Sequence, residues 1–183
     1  MCPGGCEVEN DYAGPVLDRT EDGKYLITRA FIMNMIDWFK QGNKLSRRYA
    51  WEIVLGAHAQ FAKEDSLVQL SIDEGETCDV IGDVHGTSKL LNQLVDETYL
   101  RFAGQFYDLL HLYSLTGTPS DDHCLLMNGD LVDRGSWSME VILTAFAYKC
   151  GCKFVSAASP SEGYQGYILI ECSSIEGTTR QSK

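Results

Sequence analysis

Ile81-Gly82-Asp83-Val84-His85-Gly86 and Asn128-Gly129-Asp130-Leu131-Val132-Asp133-Arg134-Gly135 share one design: an apolar strand that ends in Gly-Asp and enters a tight turn. A strand end is rigid and fixes a carboxylate in space, while the flanking glycines let the backbone turn sharply and let a ligand come close. Asp83 and His85 are two positions apart, so in extended backbone both point to the same side. One carboxylate with one imidazole suits a borderline divalent ion such as manganese, iron or zinc. Asp130, from a neighbouring strand, is placed to bridge that ion to a second. Two ions about 3.5–4 Å apart clamp a phosphate and generate hydroxide for in-line attack on phosphorus. Arg134 offers a planar fork of donors matched to phosphate oxygens. Each element alone is weak, since an Asp at a strand end is more often a turn former or helix cap. It is their order, each after an apolar strand, that carries the reading.

Working outward, residues 77–81 and 124–128 read as the two delivering strands, and residues 67–72 alternate as a half-buried third. Phe31, Ile32, Met35, Ile36 and Phe39 make an apolar stripe at helical spacing, with Thr28 as N-cap and Gln41-Gly42-Asn43 as the stop. A second helix runs from a Ser46 cap to Lys63, burying Tyr49, Ile53, Val54, Ala57 and Phe61 and leaving Arg47, Arg48 and Glu52 in water. Further helices are expected over 105–115, stopped at Gly117-Thr118-Pro119, and over 136–149, with Val141, Ile142, Ala145 and Phe146 inward. Alternating strands and helices predict an α/β layered architecture. The division expected is a leader at 1–27, extended and irregular, a catalytic domain at 28–150 and a tail at 151–183, irregular apart from the apolar run 167–170.

The formal net charge of −11 argues against nucleic acid or an anionic membrane as the main partner. No apolar run approaches the roughly 20 residues of a membrane span, and residues 1–9 lack the pattern of a secretory signal. The expected location is therefore cytoplasmic, nuclear or both. Seven irregularly spaced cysteines read as free thiols in a reducing compartment. Zinc shared by Cys2 and Cys6, or by Cys150 and Cys152, is the disfavoured alternative because no matching second pair exists.

The motifs at 82–86 and 128–136, with the continuation Ser138-Met139-Glu140-Val141, resemble the phosphoprotein phosphatase family of calcineurin-like metallophosphoesterases. Residues 8–15 and 31–57 are similar to its phosphatase-five (phosphatase T) branch. The resemblance implies the N-terminal half of a β-sandwich flanked by helices and hydrolysis of phosphoserine and phosphothreonine in proteins. It implies two divalent metal ions, with Asp83 and His85 on the first, Asp130 bridging both, and Arg134 on the substrate phosphate. Asp133 would orient a catalytic histidine. His58, His111 and His123 match no ligand position and are expected to be ordinary surface or helix residues. The repeat domain that recruits chaperone partners in that branch is expected to be absent from this chain.

Two departures qualify that picture. In the family, Asp-x-His-Gly runs directly into Gln-Phe-Tyr-Asp-Leu-Leu, whereas here residues 87–104 separate Gly86 from Gln105. That insertion reads either as an in-frame retained intron or as a real helix packing Leu90, Leu91, Leu94 and Val95. The third family motif, Gly-Asn-His-Glu, is not in the sequence, and all four histidines precede Gly129. The expectation is an incomplete, truncated chain with at most one well-formed metal site and little activity alone. Two other readings stay open: a nucleotide-polyphosphate hydrolase with the same metal motifs, and a non-catalytic module binding phosphate or a partner through Arg134.

Overall fold

The structure, a computed structural model, describes residues 7–65, 67–82, 84, 105–128, 130–132 and 136–151, and the main chain of 154–156 and 167–172. The insertion at 87–104 lies outside the described residues. In the leader, β1 (Asp18–Arg19) and β2 (Tyr25–Leu26) form a short antiparallel ribbon. Its turn closes with Thr20 N–H donating to the Lys24 carbonyl (2.8 Å) and Gly23 at φ 78°. That positive φ is open to glycine at no steric cost, and it converts an expected irregular segment into a ribbon.

Helix α1 (Arg29–Lys40) starts where expected, with Phe31 N–H donating to the Thr28 hydroxyl oxygen (3.2 Å). The five stripe residues are all buried, so the periodicity named the buried face completely. Helix α2 (Arg47–Phe61) is capped by Ser46, whose oxygen accepts from Arg48 N–H (3.3 Å). The carboxylate of Glu9 in the leader also faces this N-terminus, accepting from Arg47 N–H (3.5 Å). Together with a hydrogen bond from Ser46, this holds the Glu9 carboxyl below its usual range, as a helix N-terminus favours negative charge. Arg48 and Glu52 are half-buried rather than wet, because they pair with each other at 2.7 Å and Arg48 lies over the Tyr25 ring.

Strands β3 (Leu67–Ile72) and β4 (Thr77–Ile81) come next, followed by α3 (Gln105–Thr116), β5 (His123–Met127), α4 (Ser138–Gly151), β6 (Phe154–Ser156) and β7 (Tyr167–Cys172). The sheet order is β4-β5-β6, all parallel, and β3 pairs in parallel with β7. Every residue of the central strand β5 is buried, as expected for a parallel strand covered on both faces. Leu125 and Met127 enter the main core with α1, α2, α3 and α4, while Cys124 and Leu126 meet Ile72 of β3 in a second cluster. A helical layer on one face and a second sheet on the other is the α/β arrangement expected.

Two differences from the sequence-based reading have clear causes. Helix α4 buries Leu143, Thr144, Ala147, Tyr148 and Lys149 as well as Val141 and Ala145, because α1, α2, α3 and β6 all pack against it. A helix in that position has no dry stripe opposite a wet one. Residues 151–183, expected to be irregular apart from the apolar run 167–170, supply β6 and, around that run, β7; their parallel partners lie far away in sequence.

Tyr113, on α3, is buried with its ring 5.6 Å edge-on from Tyr148. Its hydroxyl has no hydrogen-bond partner among the described residues. An unsatisfied buried hydroxyl is worth about 1–3 kcal/mol of desolvation cost, so Tyr113→Phe is expected to raise stability by roughly 1 kcal/mol. Burial also pushes the Tyr113 pKa upward. Folding thus holds the proton more tightly than the unfolded chain, a contribution present below the ordinary tyrosine range near 10 and lost as pH rises above it. Thermal melts at neutral pH and near pH 10.5 check both points: Tyr113→Phe melts higher in each and loses less between them.

Candidate metal centre

In the register of the parallel pair, Ile81 of β4 lies beside Met127 of β5. Both strands therefore end level, and the two Gly-Asp turns leave the same edge of the sheet. The turns are laced together: Asn128 N–H donates to the Ile81 carbonyl (2.7 Å) and Val84 N–H to the Asp130 carbonyl (3.1 Å). Val84, the residue between Asp83 and His85 in sequence, is 6% exposed, and Leu131, directly after Asp130, is 4% exposed. Each turn is thus pinned by an apolar residue adjacent to a candidate ligand, while Asp130 itself is exposed. The carboxyl ends of parallel strands are where open α/β sheets place ligands.

Behind the second turn, Trp137 stacks on Phe106 (ring centres 6.1 Å apart, 21° between planes) and meets Tyr107 edge-on at 5.5 Å. Phe106 is fully buried and meets Phe39 of α1 edge-on at 5.8 Å. This aromatic stack ties Trp137, just before α4, to the start of α3. The sequence signal for Trp137 is slight, an aromatic residue two positions after Asp133-Arg134-Gly135.

Asp83, His85, Asp133 and Arg134 lie outside the described residues, and Asp130 is the candidate ligand whose surroundings are described. An exposed carboxylate at a buried strand end, with a second carboxylate and an imidazole in the sequence beside Val84, is an oxygen and nitrogen donor set that fits a borderline divalent ion. Among the described residues, no three His, Cys, Asp or Glu side chains are grouped to hold a metal. Among the described residues, Cys78, Cys124 and Cys150 are not joined in disulfides. Burial pushes the Cys150 thiol up to about 11, which keeps it protonated and disfavours zinc chemistry there.

His58 and His111 are exposed, as expected, but His123 is not a surface or helix residue. It opens β5, is 8% exposed, donates from Nδ1–H to the Thr118 carbonyl (3.2 Å) and sets Nε2 3.0 Å from Asp79 Oδ2 on β4. It joins the two strands at the edge opposite the Gly-Asp turns, and has a structural part.

Comparison with known proteins bears on the same residues. The family pattern described as calcineurin-like phosphoesterase matches residues 77–157, spanning both turns. Residues 77–157 therefore resemble the calcineurin-like phosphoesterase family over a little under half of the chain. It is 42% identical over 146 residues to serine/threonine-protein phosphatase 5 of Solanum lycopersicum, covering 80% of this chain and 22% of that protein. To serine/threonine-protein phosphatase 5 of Homo sapiens it is 38% identical, over 78% of this chain and 24% of the relative. A solved structure of a Saccharomyces cerevisiae protein serine/threonine phosphatase with similarity to human phosphatase PP5 aligns with a TM-score of 0.54 and 35% identity. That alignment covers 66% of this chain and 34% of the other. The chain thus spans about a quarter of the length of the curated relatives it matches. A pattern described as PPP5 TPR repeat region matches residues 3–69, which contain α1 and α2. The expectation that this chain carries nothing of the repeat region is corrected to that extent.

Proposed function

We propose that this protein takes part in hydrolysis of phosphoserine and phosphothreonine esters in proteins, with divalent metal held by Asp83, His85 and Asp130. The observation that supports it best is the lacing of Val84 to Asp130 at the level ends of β4 and β5, in a chain that resembles this family. Bound there, divalent ions supply Lewis-acid polarisation of the phosphoryl oxygens and a hydroxide nucleophile at neutral pH.

The chain's own residues do the rest. Asp130 would be a shared ligand of the metal site, and its main chain, held by the hydrogen bond from Val84, would need little ordering on binding. Arg134 grips two phosphate oxygens and sets the ester for in-line displacement. Asp133 has no histidine to orient among residues beyond Asp130, since all four precede Gly129. One metal site is therefore well furnished by this chain and the second has Asp130 alone, so turnover by the 183-residue chain is low. The reading places the protein in cytoplasm or nucleus, with phosphoproteins as substrates. The segment matched as repeat region makes chaperone-type partners part of the proposal.

The test is binding of a phosphoserine peptide to the purified chain, with and without manganese, beside turnover. Manganese-dependent binding is expected, weakened about tenfold by Arg134→Lys through loss of the bidentate fork, with turnover near the Asp130→Asn level. Binding indifferent to manganese and to Arg134 contradicts the site. Turnover abolished by Asp130→Asn would show instead that the second metal site is complete. Tighter binding of a dinucleotide polyphosphate than of the peptide would favour the nucleotide-hydrolase reading.

A further inference from the structure

Away from the Gly-Asp turns, the β1–β2 ribbon, α2 and the end of α4 enclose a concavity of about 500 Å³, within the roughly 300–1,000 Å³ of small-molecule sites. In a protein of net charge −11 its wall is cationic, with Arg19, Lys24 and Arg48 against the single carboxylate Glu52. Arg19 and Arg48 both lie over the Tyr25 ring, at 4.5 and 5.2 Å from its centre, and Arg19 Nη2 donates to the Tyr25 hydroxyl (2.7 Å). Two guanidinium groups held on one ring repel each other, and Glu52, 2.7 Å from Arg48, offsets one of them. Among the described residues, neither Arg19 nor Lys24 forms an ion pair. The remaining wall is uncharged, formed in part by Leu55 and the Cys150 thiol.

We propose that this concavity is an anion site for a phosphomonoester carrying a small apolar or aromatic body. The phosphate lies between the Arg19 and Arg48 forks, where it relieves their repulsion and receives paired N–H donors. Tyr25 holds the forks in place before binding, which lowers the ordering cost. Lys24 adds a third, more mobile charge at the rim, and the Leu55 side takes the apolar body.

The probe is phenyl phosphate, with inorganic phosphate in parallel, titrated into the metal-stripped 183-residue chain in EDTA and followed by calorimetry. Saturable binding is expected, tighter for phenyl phosphate, and weaker as salt rises. Arg19→Gln should weaken it roughly tenfold, as loss of a charged hydrogen-bond donor does, with Arg19→Lys intermediate. Arg19 is exposed, so its variants keep the fold, which circular dichroism verifies. Asp130→Asn should leave the affinity unchanged, separating this site from the metal centre. No saturable binding, affinity unmoved by Arg19→Gln, or affinity lost in Asp130→Asn overturns the proposal.

Discussion

Phe106→Ala will cost the fold about 3–5 kcal/mol, the range for truncating a fully buried aromatic side chain. The ring is 0% exposed and is enclosed by Phe39, Tyr107 and Trp137. Area and cavity terms act together there, because α1, α3 and the start of α4 all donate walls and none can close the gap without moving the others. The stack with Trp137, the residue just before α4, is lost with the ring. Urea unfolding measures the loss. A loss below about 1 kcal/mol would mean that the neighbouring rings repack into the space Phe106 leaves.

Glu64→Ala is the second large effect, and its origin is charge rather than volume. Lys149 on α4 has a side chain only 5% exposed, paired with Glu64 just after α2 and lying 5.0 Å from the Phe61 ring centre. Removing the carboxylate takes the Glu64 partner from a buried ammonium, and breaking a buried pair from one side costs about 3–5 kcal/mol. Glu64 is 27% exposed, so water reaches the pair and roughly 3 kcal/mol is expected. Replacing both partners, Glu64→Leu with Lys149→Met, should recover most of the loss, since well-packed apolar residues often match a buried pair. A double variant as unstable as the single one would show that packing, not the lost ion pair, sets the cost.

The helical part of the fold was legible where one face meets the core. In α1 the stripe Phe31, Ile32, Met35, Ile36 and Phe39 and the Thr28 cap were all readable, because local chemistry and burial agree there. Helix α4 was located, and Val141 and Ala145 were named as inward, but the rest of its buried surface was not, since periodicity is silent for a helix covered on several sides. Strand β6 and the pairing of β7, whose apolar run 167–170 was visible, went unread because parallel pairing is non-local: Tyr167 meets Leu67 across a hundred residues of sequence. His123 misled for a related reason, as nothing in the sequence announces that Asp79 lies next to it on the neighbouring strand.

The candidate site divides along the same line. Its residue types were legible from the two Gly-Asp turns, whose chemistry is local. That the turns leave the sheet level, with Val84 bonded to Asp130 and Trp137 clamped on Phe106, depends on register and tertiary packing. The Arg19–Tyr25–Arg48 cluster was invisible for the same reason, because it joins a two-residue ribbon to α2.

The most direct test of the metal centre is the stoichiometry of manganese binding to the 183-residue chain, read by calorimetry beside Asp83→Asn and Asp130→Asn. One tightly bound ion per chain is predicted, lost in Asp83→Asn and weakened at least tenfold in Asp130→Asn, as removal of a charged ligand requires. Absence of binding, or one ion held equally well by all three proteins, would contradict it and place the metal elsewhere than at the paired strand ends.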